Sequence, residues 1–420
     1  MKDVLPNSIP RADRLKGLEL SEIVQISERA SRLRRQGKDI IALSTGEPDF
    51  PTPGFVIEAA MAAAREGETR YTPTAGTAEL RAAVAAEHGR EPSEIVISTG
   101  AKQVLANALL GTVNPGDEIV IPAPFWTSYA DMVRVAGGIP IVIQCGAEQG
   151  FKLRPEQLQS AITARTRWLM LNSPSNPTGA IYTATEINAL ADVLRVRPHV
   201  AIISDEIYAH LSFERFTSFA AAAPDLADRT LIVSGVSKAW AMTGWRIGWG
   251  VGPTSLIKTI TAVQGHSTSG ASSVSQAAAL AALGGDRALL TERRDTYLRR
   301  RNKVVQTLSA MPGLSCSVPA GAFYAFPSCP GDDGAFCGAL LDQAGVAVVP
   351  GRAFGMPGHF RLSFAYSDAD LDAGLERIAR FLEGTKLTAA PATGFHPPAG
   401  KPILISEGRD DRRALVTKGH

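Results

Sequence analysis

Seven short apolar runs recur between residues 95 and 251, each bounded by turn residues and each too short for a helix. They are Ile95–Ile97, Glu118–Ile121, Pro140–Ile143, Trp168–Leu171, Ala201–Ile203, Leu231–Val233 and Ile247–Val251. Runs that are apolar throughout read as strands buried on both faces. Alanine-rich stretches with helical spacing separate several of them, such as Glu186–Leu194. Strands alternating with helices predict an α/β domain with a mostly parallel seven-stranded sheet. Its ligand sites are expected at the carboxyl ends of the strands.

From about Leu290 the pattern changes. A charged helix over Glu292–Leu308 precedes three strand candidates, Ala322–Phe326, Val346–Val349 and Phe360–Phe364, and a helix ending near Leu382. This predicts a smaller α+β domain over 290–383 beside a large domain over 46–289. Residues 1–45, with one helix at Ser21–Gln36, are expected to complete the small domain or lie across the mouth of the site. Residues 384–420 carry Pro391, Pro397, Pro398, Gly400 and Pro402, then Arg409–Arg413, without an apolar period. That composition predicts a disordered or loosely attached tail.

Charge and cysteine content exclude several classes. A formal charge of +2 gives no argument for nucleic acid or an anionic membrane as partner. Cys145, Cys316, Cys329 and Cys337 form no C-x-x-C pair, so neither a disulfide framework nor a metal site is expected, and a reducing cytosol is the default. No run approaches 18 apolar residues, and the first residues lack a signal-like apolar stretch.

Lys238 ends Ser234-Gly235-Val236-Ser237-Lys238, between two of the apolar runs, and Arg246 follows in Thr243-Gly244-Trp245-Arg246. A lysine on such a turn can form a Schiff base with an aldehyde, and a nearby arginine can clamp a phosphate. Its place between core strands desolvates the amine and lowers its pKa, as that chemistry requires.

Other candidates stand at strand ends. Ile97–Gln103 reads as a strand, a turn at Gly100 and a helix start at Ala101-Lys102, an arrangement that receives phosphate. Asp205 directly follows a buried run. There it pairs with a pyridinium or an arginine, or else caps a helix. Phe125-Trp126 offers an aromatic platform, with a packed core tryptophan as the plainer alternative. The turn chemistry of Asn172–Gly179 fixes an amide that can bond a phenolate oxygen, and Tyr208 can supply a second donor. Arg361, inside the run Phe360–Phe364, carries a planar fork that suits a carboxylate.

Gly46–Phe50, Tyr71-Thr72-Pro73, Asn172–Gly179, Ser204–Tyr208, Ser237-Lys238 and Thr243–Gly248 together resemble the ordered motifs of the pyridoxal-phosphate-dependent class I aminotransferases. They are most similar to the bacterial aspartate aminotransferase branch, over about Arg14 to Leu382. The resemblance implies fold type I, pyridoxal 5′-phosphate as cofactor, amino-acid and 2-oxo-acid substrates, and a homodimer with shared sites. It implies that Lys238 is joined to the cofactor and then shuttles a proton between substrate Cα and cofactor C4′. It implies that Asp205 pairs with the pyridine nitrogen, that Asn176 and Tyr208 bond the 3′-oxygen, and that Trp126 stacks on the ring. Arg246, Ser237 and the backbone of Gly100, Ala101 and Lys102 would hold the phosphate, with Tyr71 reaching the phosphate of a second copy. Gly46 and Arg361 would receive the substrate α-carboxylate, helped by Asn176 and Trp126.

The chain departs from that family in places. A serine often stands three residues before the lysine, where this chain has Gly235. A Lys-Pro-Ser-x-Thr stretch is replaced by Glu19-Leu20-Ser21-Glu22-Ile23. Lys102 stands where that branch places a cation for a side-chain carboxylate, which implies aspartate or glutamate as donor and 2-oxoglutarate or oxaloacetate as acceptor. Leu20 and Ile23 keep aromatic, prephenate-like and methionine-type substrates open. A β-lyase or decarboxylase is the first rival reading, and Arg361 argues against decarboxylation because a held carboxylate is retained. A transcription regulator is the second. The 45 residues ahead of Gly46 are too few for a DNA-binding module.

Overall fold

The computed structural model describes residues 9–18 and 20–384. Glu19 and the tail from residue 385 lie outside the described residues, and so do the expectations attached to them. Twelve strands are present among the described residues. They are β1 (Ile41–Ala42), β2 (Ile95–Ser98), β3 (Glu118–Ala123), β4 (Ile139–Gln144), β5 (Thr166–Asn172), β6 (Ala201–Asp205), β7 (Thr230–Gly235), β8 (Gly248–Val251), β9 (Tyr324–Ala325), β10 (Val346–Ala347), β11 (Val349–Pro350) and β12 (Phe360–Ser363).

β2 to β8 form one seven-stranded sheet in the order β2-β8-β7-β6-β5-β3-β4. The pairs among β3 to β7 are parallel, whereas β8 runs antiparallel to both β2 and β7. The mostly parallel α/β sheet is therefore as expected. The reversed strand has a consequence for the site. β2, β3, β5, β6 and β7 all end at one edge, and β8 begins there. Segments that follow five strands and precede a sixth thus converge at that edge. β2, β6 and β7 are buried almost throughout, and apolar clusters on the sheet hold helices against it, including Ala101–Thr112 and Ala184–Arg195. Thr183 and Glu186 close a capping box at the start of the second of these helices.

A three-stranded antiparallel sheet, β11-β12-β9, lies in the C-terminal part, and β1 pairs in parallel with β10. The strand candidate Ala322–Phe326 narrows to β9, and Val346–Val349 divides into β10 and β11. The division falls at Val348, because the chain leaves β1 as a partner there and takes up β12. The charged helix extends over Ala288–Ser309. An apolar cluster joins Leu43, Tyr297, Phe323, Tyr324, Phe360 and Leu375 to Tyr208 and Leu211, so the two parts pack directly beside the strand ends. Among the described residues no helix is long and apolar enough to cross a membrane.

Candidate active site

A cavity of about 540 Å³ opens at the carboxyl edge of the large sheet. Its lining brings together Gly46, Ala101, Lys102, Trp126, Asn176, Asp205, Tyr208, Ser237, Lys238, Arg246 and Arg361. Residues separated by more than 300 positions meet there because the strand ends meet there. Two expected residues stand apart. Gly100 is behind the lining, and Tyr71 is 95% exposed beside a different depression that includes Thr268–Ser273. A larger cavity of about 670 Å³ lies between the helices Glu22–Arg35 and Asp333–Ala344 and holds none of the candidates. Two of its arginines are already paired, Arg29 with Asp342 and Arg352 with Glu22.

Lys238 follows β7, and its Nζ donates to the Gly46 carbonyl at 2.7 Å. Burial lowers the amine to about 8. Glu47 opposes that shift, and Arg361 and Arg246 add to it. The group is therefore close to its midpoint near neutral pH and can both hold and release a proton. Glu47, which was not singled out from the sequence, lines the cavity and accepts from the Thr243 hydroxyl at 2.9 Å.

Asp205 ends β6 and is 4% exposed. Its Oδ2 accepts from the Tyr129 hydroxyl at 2.6 Å and its Oδ1 from the Ile207 N–H at 3.2 Å. Burial pushes its carboxyl up to about 6. The two hydrogen bonds and the charge of Lys238 pull the other way. No arginine or lysine forms a direct ion pair with it among the described residues, so a buried anion faces the cavity without a cation in contact. The N-cap alternative does not apply: the segment that follows is a short 3-10 turn at Ala209–Leu211, reached through Tyr208.

Helix Ala101–Thr112 begins at Gly100, whose φ is +82°, and no side chain caps it. A Cβ on Gly100 would fall 2.6 Å from an Arg246 nitrogen. One on Gly248 would fall 2.2 Å from the Ala101 amide. Glycine at both places keeps open the approach of Arg246 to an uncapped helix N-terminus, where backbone N–H groups attract anions. Gly235 has a related cause. A side chain there would meet Gly248 Cα and the Ile247 carbonyl at 2.8 Å.

Asn172 orients the turn that carries Asn176. Its Oδ1 accepts from the Asn176 N–H at 2.7 Å and its Nδ2 donates to the Asp205 carbonyl at 2.9 Å. Asn176 Oδ1 then accepts from Arg361 at 2.9 Å, which leaves its Nδ2 as the donor end. Arg361, 1% exposed on β12, also donates to the Ser44 carbonyl at 2.6 Å, and its Nε has no partner. No carboxylate pairs with this buried guanidinium among the described residues. Lys102 Nζ lies 4.7 Å from the centre of the Trp126 ring, and burial followed by Arg246 lowers its pKa. Ile23, from the N-terminal helix, supplies an apolar wall.

Sequence reasoning missed Tyr129 and Tyr324. Tyr129 stands on a helix one turn past Trp126, and that spacing from the platform residue was the available signal. Tyr324 meets the Tyr208 hydroxyl at 2.9 Å, and nothing in its local sequence marked it apart from the neighbouring core residues.

The comparisons with known proteins agree with one another. A family model described as aminotransferase class I and II matches residues 38–378. The aspartate aminotransferase of Rhizobium meliloti is 49% identical over 389 residues, covering 88% of this chain and 95% of the relative. The aspartate/prephenate aminotransferase of Cereibacter sphaeroides is 45% identical, covering 89% and 98%. Among solved structures, the aspartate aminotransferase of Thermus thermophilus with maleate superimposes with a TM-score of 0.85 at 40% identity, over 89% of this chain and all of that one.

Proposed function

The chain belongs to the class I and II aminotransferases, and on that premise we propose that it transfers the amino group of L-aspartate or L-glutamate to 2-oxoglutarate or oxaloacetate. The observation that carries the substrate choice is the pair of cations on one cavity. Arg361 has an unpartnered Nε, and Lys102 has no carboxylate partner among the described residues. A dicarboxylate entering a closed site needs a partner for each charge, since an unpaired buried charge is severely penalised. Maleate, the compound with the Thermus thermophilus enzyme, is itself a dicarboxylate.

The family implies pyridoxal 5′-phosphate, and this chain's residues fit it. Asp205 is a buried anion that a protonated ring nitrogen would complement, and the uncapped helix start beside Arg246 suits a phosphate. When bound, the cofactor supplies an electron sink for the charge left as the substrate Cα loses its proton. Asp205, steadied by Tyr129, would keep a proton at the ring nitrogen. Asn176 and Tyr208 would offer donors to the 3′-oxygen. Arg246, Ser237 and the amides of Ala101 and Lys102 would hold the phosphate, and Trp126 would supply an aromatic face to the ring. Lys238 would take the proton from substrate Cα and return it at C4′, which its lowered pKa favours. Arg361 would grip the α-carboxylate beside Gly46 on the same cavity, and Lys102 would meet the side-chain carboxylate.

Tyr71, exposed and remote from its own cavity, supports a homodimer in which each copy contributes this hydroxyl to the other's phosphate. A cytoplasmic setting belongs to the same reading. The relative from Cereibacter sphaeroides is named for prephenate as well, and the apolar wall at Ile23 supports a prephenate-like second substrate. The test is to add single amino acids to the cofactor-loaded protein and follow its visible spectrum, then to identify the 2-oxo acid released. Aspartate and glutamate should bleach the band at the lowest concentrations. A protein that responds better to phenylalanine or methionine contradicts the dicarboxylate assignment.

A further inference from the structure

Tyr324 touches both Arg361 and Tyr208, two side chains that no direct hydrogen bond joins among the described residues. Its ring centre lies 4.5 Å from the Arg361 guanidinium carbon, and Phe354 stands at 5.0 Å. Arg361 has neither a carboxylate partner among the described residues nor a partner for Nε. With no anion beside it, the guanidinium is held by these two rings together with the Asn176 Oδ1 and Ser44 carbonyl acceptors. The hydroxyl of the same residue meets the Tyr208 hydroxyl at 2.9 Å, with both phenols fully buried. It would also lie 2.7 Å from a Cβ on Gly46, so Tyr324 occupies the space that this glycine leaves free.

The Tyr208–Tyr324 contact has one direction available when Tyr208 donates elsewhere. Burial raises both phenols far above neutral pH, so each keeps its proton. Tyr324 makes no other side-chain hydrogen bond among the described residues. If Tyr208 is to donate into the cavity, its own oxygen must be the acceptor of the Tyr324 proton. A donor that is itself a hydrogen-bond acceptor in this way is strengthened, because each bond polarises the next.

We propose that Tyr324 is a positioning residue with two separable functions: its ring seats Arg361 for the substrate carboxylate, and its hydroxyl turns the Tyr208 proton toward the cofactor's 3′-oxygen. The proposal deepens the reading above and rests on it. The geometry separates the functions cleanly. Tyr324→Phe removes the hydroxyl and keeps the ring, whereas Tyr324→Leu removes both.

Two measurements on the cofactor-loaded protein read them independently. One is the dissociation constant of maleate, an unreactive dicarboxylate, by calorimetry. The other is the pH midpoint of the visible absorbance change. Tyr324→Phe should leave the maleate constant within about twofold, because cation–π contact survives. It should raise the pH midpoint by about half a unit or more. A 3′-oxygen anion that is held less well keeps its shared proton to higher pH. Tyr324→Leu should raise the midpoint similarly and weaken maleate about tenfold or more. A midpoint unmoved in Tyr324→Phe overturns the hydroxyl function. A maleate constant unmoved in Tyr324→Leu overturns the ring function. If the leucine variant does not fold, Tyr324→Met replaces it, and the phenylalanine result still decides by itself whether the hydroxyl acts. Wild-type protein that binds no pyridoxal phosphate overturns the parent reading as well, and that outcome is distinct from either result.

Discussion

The Tyr129 hydroxyl donates to Asp205 Oδ2 at 2.6 Å, and both buried side chains line the cavity where β6 ends. Burial drives the Asp205 carboxyl up to about 6, and this bond is the largest influence holding it down. Asp205→Ala is expected to retain cofactor yet lose about a thousandfold in turnover, roughly 4 kcal/mol in barrier. A variant keeping a tenth of wild-type turnover contradicts the assignment. Tyr129→Phe should do less, about ten- to a hundredfold, and its effect should depend on pH. Losing a donor to the charged form raises a carboxyl pKa, so the acid limb of kcat moves to higher pH. A kcat profile from pH 5 to 9 with an unmoved acid limb would count against it.

Lys238 should be the only lysine whose loss abolishes turnover while the fold survives. Borohydride reduction of the loaded protein followed by peptide mapping should mark Lys238, and a mark on another lysine refutes the role. A second consequence concerns the cofactor-free protein. Burial lowers the amine to about 8 from 10.5, so between those pH values the unfolded chain keeps a proton that the native state has shed. Stability therefore rises with pH across that window, and the buried charge costs most below pH 8. Lys238→Met should raise the Tm of the cofactor-free protein at pH 7, by at most about 3 kcal/mol of stability, and by much less above pH 10.5. An equal gain at both pH values contradicts the lowered pKa.

Much of this arrangement was legible in the chain because six of the sheet's seven strands are buried; the expectation fails for β4, which lies at the sheet's edge half-exposed with Ile139 open to solvent. Seven continuous apolar runs could only be strands, and polar residues placed just after them had to lie at strand ends. Asp205, Lys238 and Trp126 were found in that way, and so was the Asn172–Gly179 turn, within which the family resemblance pointed to Asn176. Strand order was not legible. Nothing within Gly248–Val251 distinguishes an antiparallel strand from a parallel one, although β8 must run backwards to bring Arg246 to the same edge as Gly100. Tyr129 and Tyr324 were also hidden. A buried tyrosine reads as core in sequence, and only the position of its hydroxyl against Asp205 or Tyr208 separates the two cases. The departure at Gly235, where the family often has a serine, has a cause that only the structure shows: the close approach of Gly248 leaves no room for a side chain.

The homodimer expectation rests on Tyr71. If its hydroxyl completes the other copy's phosphate site, dilution into monomers should release cofactor together with activity. Tyr71→Phe should weaken cofactor retention without changing the sedimentation of the dimer. A monomer that sediments as such and is fully active would refute the shared site.

Lys102 is where the substrate assignment can be decided. Its ammonium lies over the Trp126 ring, and burial, followed by the charge of Arg246, lowers its pKa. A cation so placed gains when a carboxylate arrives, because the opposite charge offsets both its burial and the repulsion of Arg246. A charge-assisted hydrogen bond of this kind contributes about 1.5–3 kcal/mol. Lys102→Met should therefore cut kcat/KM for aspartate by roughly ten- to a hundredfold. Phenylalanine has no second carboxylate and meets the apolar side near Ile23, so its kcat/KM should change by no more than about threefold. The alternative is that Lys102 only closes the rim of the phosphate site. In that case both donors would lose rate equally, and the loss would follow a weaker hold on the cofactor. Measuring kcat/KM for both donors at saturating pyridoxal phosphate separates the two. An unchanged aspartate-to-phenylalanine ratio removes the dicarboxylate assignment and leaves the amino-group transfer intact.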